Sequence, residues 1–234
     1  MALIKVKTGG VDSTTNLGRR NLVINGAMQV AQRGTGPVTN ASGGYSTVDR
    51  FFQTGTLGGS FTWEKSSDAP DGFSSSFKSS VPTGYSSLTS TASARIGTAF
   101  EGQDLQNLQK GTATAVDLTL SFWVKATVTG TYIVELYDTD NTRNICQSYT
   151  ISASNTWQKV VMTFDGDTSG VLDNDNAASL VVHWWLAAGT NFTSGTLPSS
   201  WQSAVTANRA VGQVNGMASN NDAFYLTGVQ LELG

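Results

Sequence analysis

Residues 116–125, Val-Asp-Leu-Thr-Leu-Ser-Phe-Trp-Val-Lys, alternate apolar and polar with a period of two, and this pattern limits the fold more than any other feature. In an extended strand that period puts Val116, Leu118, Leu120, Phe122 and Val124 on one face and Asp117, Thr119, Ser121, Trp123 and Lys125 on the other. Similar runs return at 132–138, 143–151, 156–164, 179–188 and 223–233, with shorter ones at 22–30, 47–54, 59–65 and 90–100. Gly, Asn, Asp and Ser punctuate them about every ten residues, as turns between strands require. About ten strands suffice for two packed antiparallel sheets, an all-β sandwich. The runs at 116–125, 132–138 and 143–151 are predicted to form a meander, turning at Thr129-Gly130 and at 138–142. Alternation in the last run sets Tyr225, Thr227, Val229, Leu231 and Leu233 on one face and Phe224, Leu226, Gln230 and Glu232 on the other. Gln230 and Glu232 are expected to hydrogen-bond across the sheet or to a neighbouring loop and so fix the register.

Between the strands, 70–90 is rich in Ser and Gly and reads as a surface loop, and 190–221 is a second irregular region anchored by Trp201. Leu105 and Leu108 give the one helical hint, at 103–110. Residues 1–18 read as a short extended N-terminal arm, and 19–234 as one domain with no internal repeat.

Charged residues make up 13% of the chain and hydrophobic ones 39%. The second figure supports a core, and an average globular domain has about 25% charge. With net charge −3 and no basic run beyond Arg19-Arg20, nucleic-acid binding is disfavoured. Segments 1–10 lack the apolar stretch of a secretory signal, and no run reaches the roughly 18 apolar residues of a membrane span, so no membrane insertion is expected. A single cysteine, Cys146, forbids an intrachain disulfide or a Cys-based zinc site, and a single histidine, His183, forbids two-His metal sites.

Asp165, Asp167, Asp173 and Asp175 surround Gly166-Asp-Thr-Ser-Gly170 in an EF-hand-like count, making them the candidate ligands of a structural calcium. Position 12 of that count is Asn176 rather than the bidentate Glu such a loop needs, so a tight turn is the competing reading. No other cofactor is expected. No catalytic residue is assigned: His183 lies mid-strand without a Gly-x-Ser-x-Gly elbow, and no motif singles out Glu135 with Glu64, Glu101 or Asp117 as a hydrolytic pair. Aromatic rings beside carboxylates and hydroxyls suit sugar recognition, and Trp123, Glu135, Tyr137, Trp185 and Trp201 are the candidate glycan contacts. The competing expectation is that long loops or another protomer cover this face.

Four ordered segments carry a likeness. They are Arg20-Asn-Leu-Val-Ile-Asn-Gly-Ala-Met-Gln-Val-Ala-Gln-Arg-Gly-Thr35, Tyr45-Ser-Thr-Val-Asp-Arg-Phe-Phe52, Leu118-Thr-Leu-Ser-Phe-Trp-Val-Lys125 and Phe224-Tyr-Leu-Thr-Gly-Val-Gln-Leu-Glu-Leu-Gly234. With Trp157, Gly166–Gly170 and Trp184–Gly189, the chain resembles the carbohydrate-binding-module-like jelly-roll domain of tailed-phage fibre and virion surface proteins, of the marine podovirus and cyanophage type. The resemblance implies a two-sheet jelly roll on a phage virion, as a tail fibre or capsid-surface appendage. It further implies assembly with itself as a homotrimer and with other phage virion proteins, the arm 1–18 docking the domain to the particle. Host attachment through surface glycan without catalysis is the expected role. The alternatives are an adhesion module whose main task is receptor recognition and an accessory domain of a polysaccharide hydrolase. In similar proteins the chain continues beyond the Gln-x-Glu-x-Gly strand, where this sequence stops.

Overall fold

The computed structural model describes residues 21–39, 44–57 and 61–234; the expected arm, 1–18, lies outside them. Alternation is realised as strands β1 (Val38–Thr39), β2 (Phe51–Gly55), β3 (Thr62–Ser66), β4 (Ser76–Ser80), β5 (Ser93–Glu101), β6 (Leu118–Ala126), β7 (Gly130–Asp138), β8 (Arg143–Ile151), β9 (Gln158–Phe164), β10 (Ala178–Ala188), β11 (Gln202–Ser203) and β12 (Ala223–Leu233). They form two six-stranded antiparallel sheets, ordered β1-β3-β4-β12-β6-β9 and β11-β8-β7-β10-β5-β2. The chain shuttles repeatedly between them, giving the two-sheet jelly-roll sandwich that the alternation and the resemblance imply.

Apolar faces of both sheets meet in one core, where aromatic rings bridge the layers. Trp184 of β10 packs against Phe122 of β6 at 5.7 Å, Phe122 against Tyr149 of β8 at 5.3 Å, and Tyr132 of β7 against Phe224 of β12 at 5.5 Å. Such pairs add about 0.5–1.5 kcal/mol each beyond the area they bury.

The predicted meander is corrected at its first turn. β6 pairs with β12 and β9, whereas β7 pairs with β8 and β10 in the opposite sheet. Residues 127–129 therefore form an arch across the sandwich and not a hairpin, because the apolar face of β6 is buried only when β7 faces it. The Ser-rich 70–90 segment contains β4, whose Phe77 and Ser79 point inward between β3 and β12. At 103–110 the helical hint shrinks to two 3-10 turns.

Two further departures concern the chain ends that carry the resemblance. β12 shifts register between Thr227 and Gln230, so one extra residue is inserted. Gly228, with φ +61°, takes the left-handed conformation this β-bulge needs. The bulge changes the phase of the strand: Phe224 and Leu226 point inward before it, Val229 and Leu231 after it. The single continuous face expected for 225–233 is thus split. Gln230 does bond across the sheet as expected, accepting from Ser121 at 3.3 Å.

Residues 22–30 are not a strand but a turn-rich plug seated against that bulge. Leu22 N–H donates to Leu231 O at 2.8 Å, Val229 N–H to Gly26 O at 3.0 Å, and Asn21 Oδ1 accepts from Leu231 N–H at 3.0 Å. A Cβ on Gly26 would stand 2.1 Å from Val229 O. Gly26→Ala is therefore expected to lose about 1–3 kcal/mol of unfolding free energy, in the range of overpacked buried sites. Equilibrium urea denaturation reads this directly; an unchanged midpoint would mean that the plug does not press on β12.

Candidate functional site

The outward face of the second sheet collects the chemistry, because the period that buries Val134, Leu136, Val182 and Trp184 turns their neighbours outward. Across the strands, Trp185 lies beside Arg95, His183 beside Glu135 and Gly97, and Val181 beside Tyr137 and Ala99. Cys146 and Asn144 of β8 complete the Glu135 and Tyr137 rows, and Phe52 of β2 lies beside Gly97.

Part of this face is covered. After β10 the chain folds back over it through residues 189–213, where Phe192, Leu197 and Ala210 pack on Ile133, Cys146, Trp185 and Ala188. Phe192 packs tilted against Trp185, ring centroids 5.2 Å apart. The strap delivers Arg209, whose Nε and Nη2 donate to Glu135 Oε1 and Oε2 at 2.7 and 2.9 Å. Asn144 Nδ2 and Trp185 Nε1 donate to the same carboxylate at 2.9 and 3.3 Å. Arg95 stacks on the Trp185 ring at 4.7 Å and Arg209 on the Tyr137 ring at 4.6 Å.

Burial by itself pushes the Glu135 carboxyl up, but His183 and Arg209 outweigh it and hold its pKa at about 2. His183 Nδ1 stands 3.4 Å from Glu135 Oε2 without a formed hydrogen bond. Burial, with Arg95 and Arg209 nearby, lowers the histidine's pKa, so the ring is neutral at pH 7. Glu135 and Trp185 are both 0% exposed. This corrects their expected place as contact residues: a ligand on the surface meets what they support.

Beside them runs a row of rings, the first pair tilted and the next two edge to face. Tyr137 lies 6.4 Å from His183, His183 6.3 Å from Phe52, and Phe52 5.6 Å from Tyr45. The row ends at an open cleft of about 500 Å3 lined by Tyr45, Arg33, Asp49, Arg50, Glu101 and Asn176, with Ala99 and Ala178 from β5 and β10. Its charges form two loose pairs, Arg33 with Asp49 and Arg50 with Glu101, each 3.9 Å apart. Glu101 also accepts from Gln103 Nε2 at 2.8 Å, and Asp49 from the Gln32 N–H at 3.1 Å.

Of the five expected glycan contacts, Glu135, Tyr137 and Trp185 come together and the other two do not. Trp123 lies on the outer face of the opposite sheet, where its ring and Phe73 flank Gly228. Trp201 is held at the rim, its Nε1 donating to Asp165 O at 2.7 Å and its ring 4.8 Å from Lys110 Nζ. The cleft residues themselves were not among the expected contacts. Tyr45, Asp49 and Arg50 fall within the segment Tyr45–Phe52 and Arg33 within 20–35, segments that carry the resemblance without a role, and Glu101 and Asn176 fall in neither.

The four aspartates expected to bind calcium are not gathered; among the described residues no group of three or more His, Cys, Asp or Glu side chains is placed to hold a metal ion. Asp167 instead takes Arg143 Nε and Nη2 at 2.7 and 2.9 Å and Lys110 Nζ at 3.0 Å. Burial raises the Asp167 pKa, but these hydrogen bonds outweigh it and the net shift is downward. Lys110 also donates to Asp138 and to Gly170 O, so its ammonium sits among three oxygens. Asp173 accepts no such contact here; its own N–H donates to Asp140, and Asp175 caps the Ala177 N–H.

No protein-family model matches the chain, and no curated protein matches it. Solved structures do. The enzymatically active domain of tailspike protein 4 from bacteriophage CBA120 is 17% identical with a TM-score of 0.48, covering 92% of this chain, which spans 22% of that one. TmCBM61 in complex with β-1,4-galactotriose is 9% identical with a TM-score of 0.47, over 92% of this chain and 99% of that one. A putative sugar binding protein from Bacteroides thetaiotaomicron is 12% identical with a TM-score of 0.45, over 92% and 100%. At such identities the likeness is one of architecture alone. Among the described residues no helix is long and apolar enough to cross a membrane.

Proposed function

We propose that the chain is a glycan-binding module displayed on a phage particle, acting by attachment and without catalysis. The observation that carries the binding half is the open cleft of about 500 Å3 at the end of a braced aromatic row. A ring wall with planar hydrogen-bonding groups of both signs suits a polyhydroxylated ligand: the wall takes the C–H face while guanidinium, carboxylate and amide groups take the hydroxyls. The particle half rests on the four-segment resemblance, and with it a homotrimeric fibre or capsid appendage contacting other virion proteins.

Affinity electrophoresis of the intact oligomer through gels containing host lipopolysaccharide or a panel of soluble polysaccharides tests the binding half. Retardation by at least one polysaccharide is expected, with its chain length unchanged afterwards. Free migration through every gel would remove the binding role and leave a purely structural appendage. Shortened products would overturn the non-catalytic reading and point to Asp49 and Glu101, the carboxylates that line the same cleft.

A further inference from the structure

We infer that the cleft grips an uncharged sugar residue between Tyr45 and Arg50, and that Arg50 holds a backbone conformation suited to glycine in order to present its guanidinium there. The inference rests on the glycan-binding reading and names the class of ligand and the residues that select it.

Arg50 has φ +70° in a tight turn closed by the Phe51 N–H donating to Val48 O at 3.3 Å. It occupies the third position of that turn, where a positive φ calls for Gly or Asn. Among the described residues its guanidinium has one charged partner, Glu101, at 3.9 Å. Its carbonyl accepts from Thr98 Oγ1 at 2.9 Å, a bond any residue could accept. Its side chain lines the cleft and is 49% exposed. A bulky residue at such backbone carries local strain, and strained positions cluster at sites where a side chain meets a ligand.

Tyr45 supplies the second half of the grip. Its ring is fixed edge-on by Phe52, with an interplanar angle of 85°, and 37% of the residue stays exposed. Phe52 in turn lies over Gly97, where a Cβ would come within 2.4 Å of its ring. The wall is therefore braced before any ligand arrives, which lowers the entropy lost on binding.

Charge decides the ligand class. Arg33 and Arg50 face the cleft together with Asp49 and Glu101, so the charges of the lining cancel and give no net attraction to an anionic or a cationic sugar. At 3.9 Å neither pair is a close hydrogen-bonded ion pair, which leaves donors and acceptors of both kinds for hydroxyl groups.

Calorimetric titration of uncharged oligosaccharides and their uronate-containing or sialylated counterparts, at low and high salt, tests the assignment on the wild type, Tyr45→Ala and Arg50→Gly. The expected result is salt-insensitive binding of an uncharged oligosaccharide that weakens about tenfold or more in each variant, about 1.4 kcal/mol. Arg50→Gly is further expected to keep or raise the Tm, since glycine relieves the positive φ. Wild type that binds no glycan overturns the glycan reading and this inference with it. Binding that both variants leave intact overturns the cleft alone, placing the glycan elsewhere on the molecule. A preference for acidic glycans that fades with salt overturns the ligand class, and a lowered Tm in Arg50→Gly overturns the role given to its backbone.

Discussion

Arg209→Ala is expected to lower the unfolding free energy by about 3–5 kcal/mol, the range found when one partner of a buried ion pair is removed. The variant strips Glu135 of its bidentate partner while the carboxylate stays sealed beneath the strap, left with Asn144, Trp185 and a neutral His183. Arg209→Lys should recover only part of the loss, because an ammonium cannot span both carboxylate oxygens. The pH dependence distinguishes this from lost packing. Glu135 has a folded pKa of about 2 against an ordinary 4.5, so its contribution is complete above 4.5 and fades as pH falls toward 2. His183, lowered from 6.5, works in the same direction, since the unfolded chain takes up its proton first. Stability of the wild type should therefore decline in acid, and the gap between wild type and Arg209→Ala should narrow as Glu135 becomes protonated. Urea denaturation from neutral pH into the acid range measures both. A gap that stays constant with pH would assign the loss to packing of the strap.

The second large effect is expected three residues further along β7, at Asp138. Lys110→Met removes the ammonium shared by Asp138, Asp167 and Gly170 O, while the side chains of both aspartates are at most 1% exposed. Asp167 retains Arg143, but Asp138 is left with the N–H and amide of Asn141. A loss of about 3–5 kcal/mol is expected, and adding Asp138→Asn should return a sizeable part of it by removing the stranded charge. A double-mutant cycle between these positions reads the coupling. Additive losses would show that Lys110 does not act through its pairing with Asp138.

Legibility differed between local pattern and contact. The core strands 118–126, 130–138, 178–188 and 223–233 were readable because period-two alternation is a property of the chain itself. β4 was missed because Ser-Phe-Lys-Ser-Ser offers one apolar residue, and its strand character comes from lying between β3 and β12. Residues 22–30 were misread as a strand for the converse reason: apolar Leu-Val-Ile is there, but Gly26 and left-handed Asn25 and Met28 shape a plug. At the site, alternation made it legible that Glu135 and Tyr137 share one face of β7; that β10 lies beside β7 and brings His183 and Trp185 to them was decided only by strand pairing. Arg209 was not, because it reaches Glu135 from 74 residues away through an irregular strap. Tyr45 and Glu101 were likewise out of reach, meeting only where β2 lies along β5.

Taken alone, the amino-acid order determined that this chain is all-β, which residues of each strand face together, and that its sheets must bury one face against another. Those facts follow from side-chain alternation along a single strand. Tertiary structure alone decided which strands are partners, where the bulge in β12 reverses its phase, and which aromatic and charged groups are sealed or open. A turn joining two strands is compatible with a hairpin or an arch, and only the competition to bury both apolar faces selects between them. The same competition laid the strap over Glu135 and Trp185, and left the open end of that face to Tyr45 and Arg50.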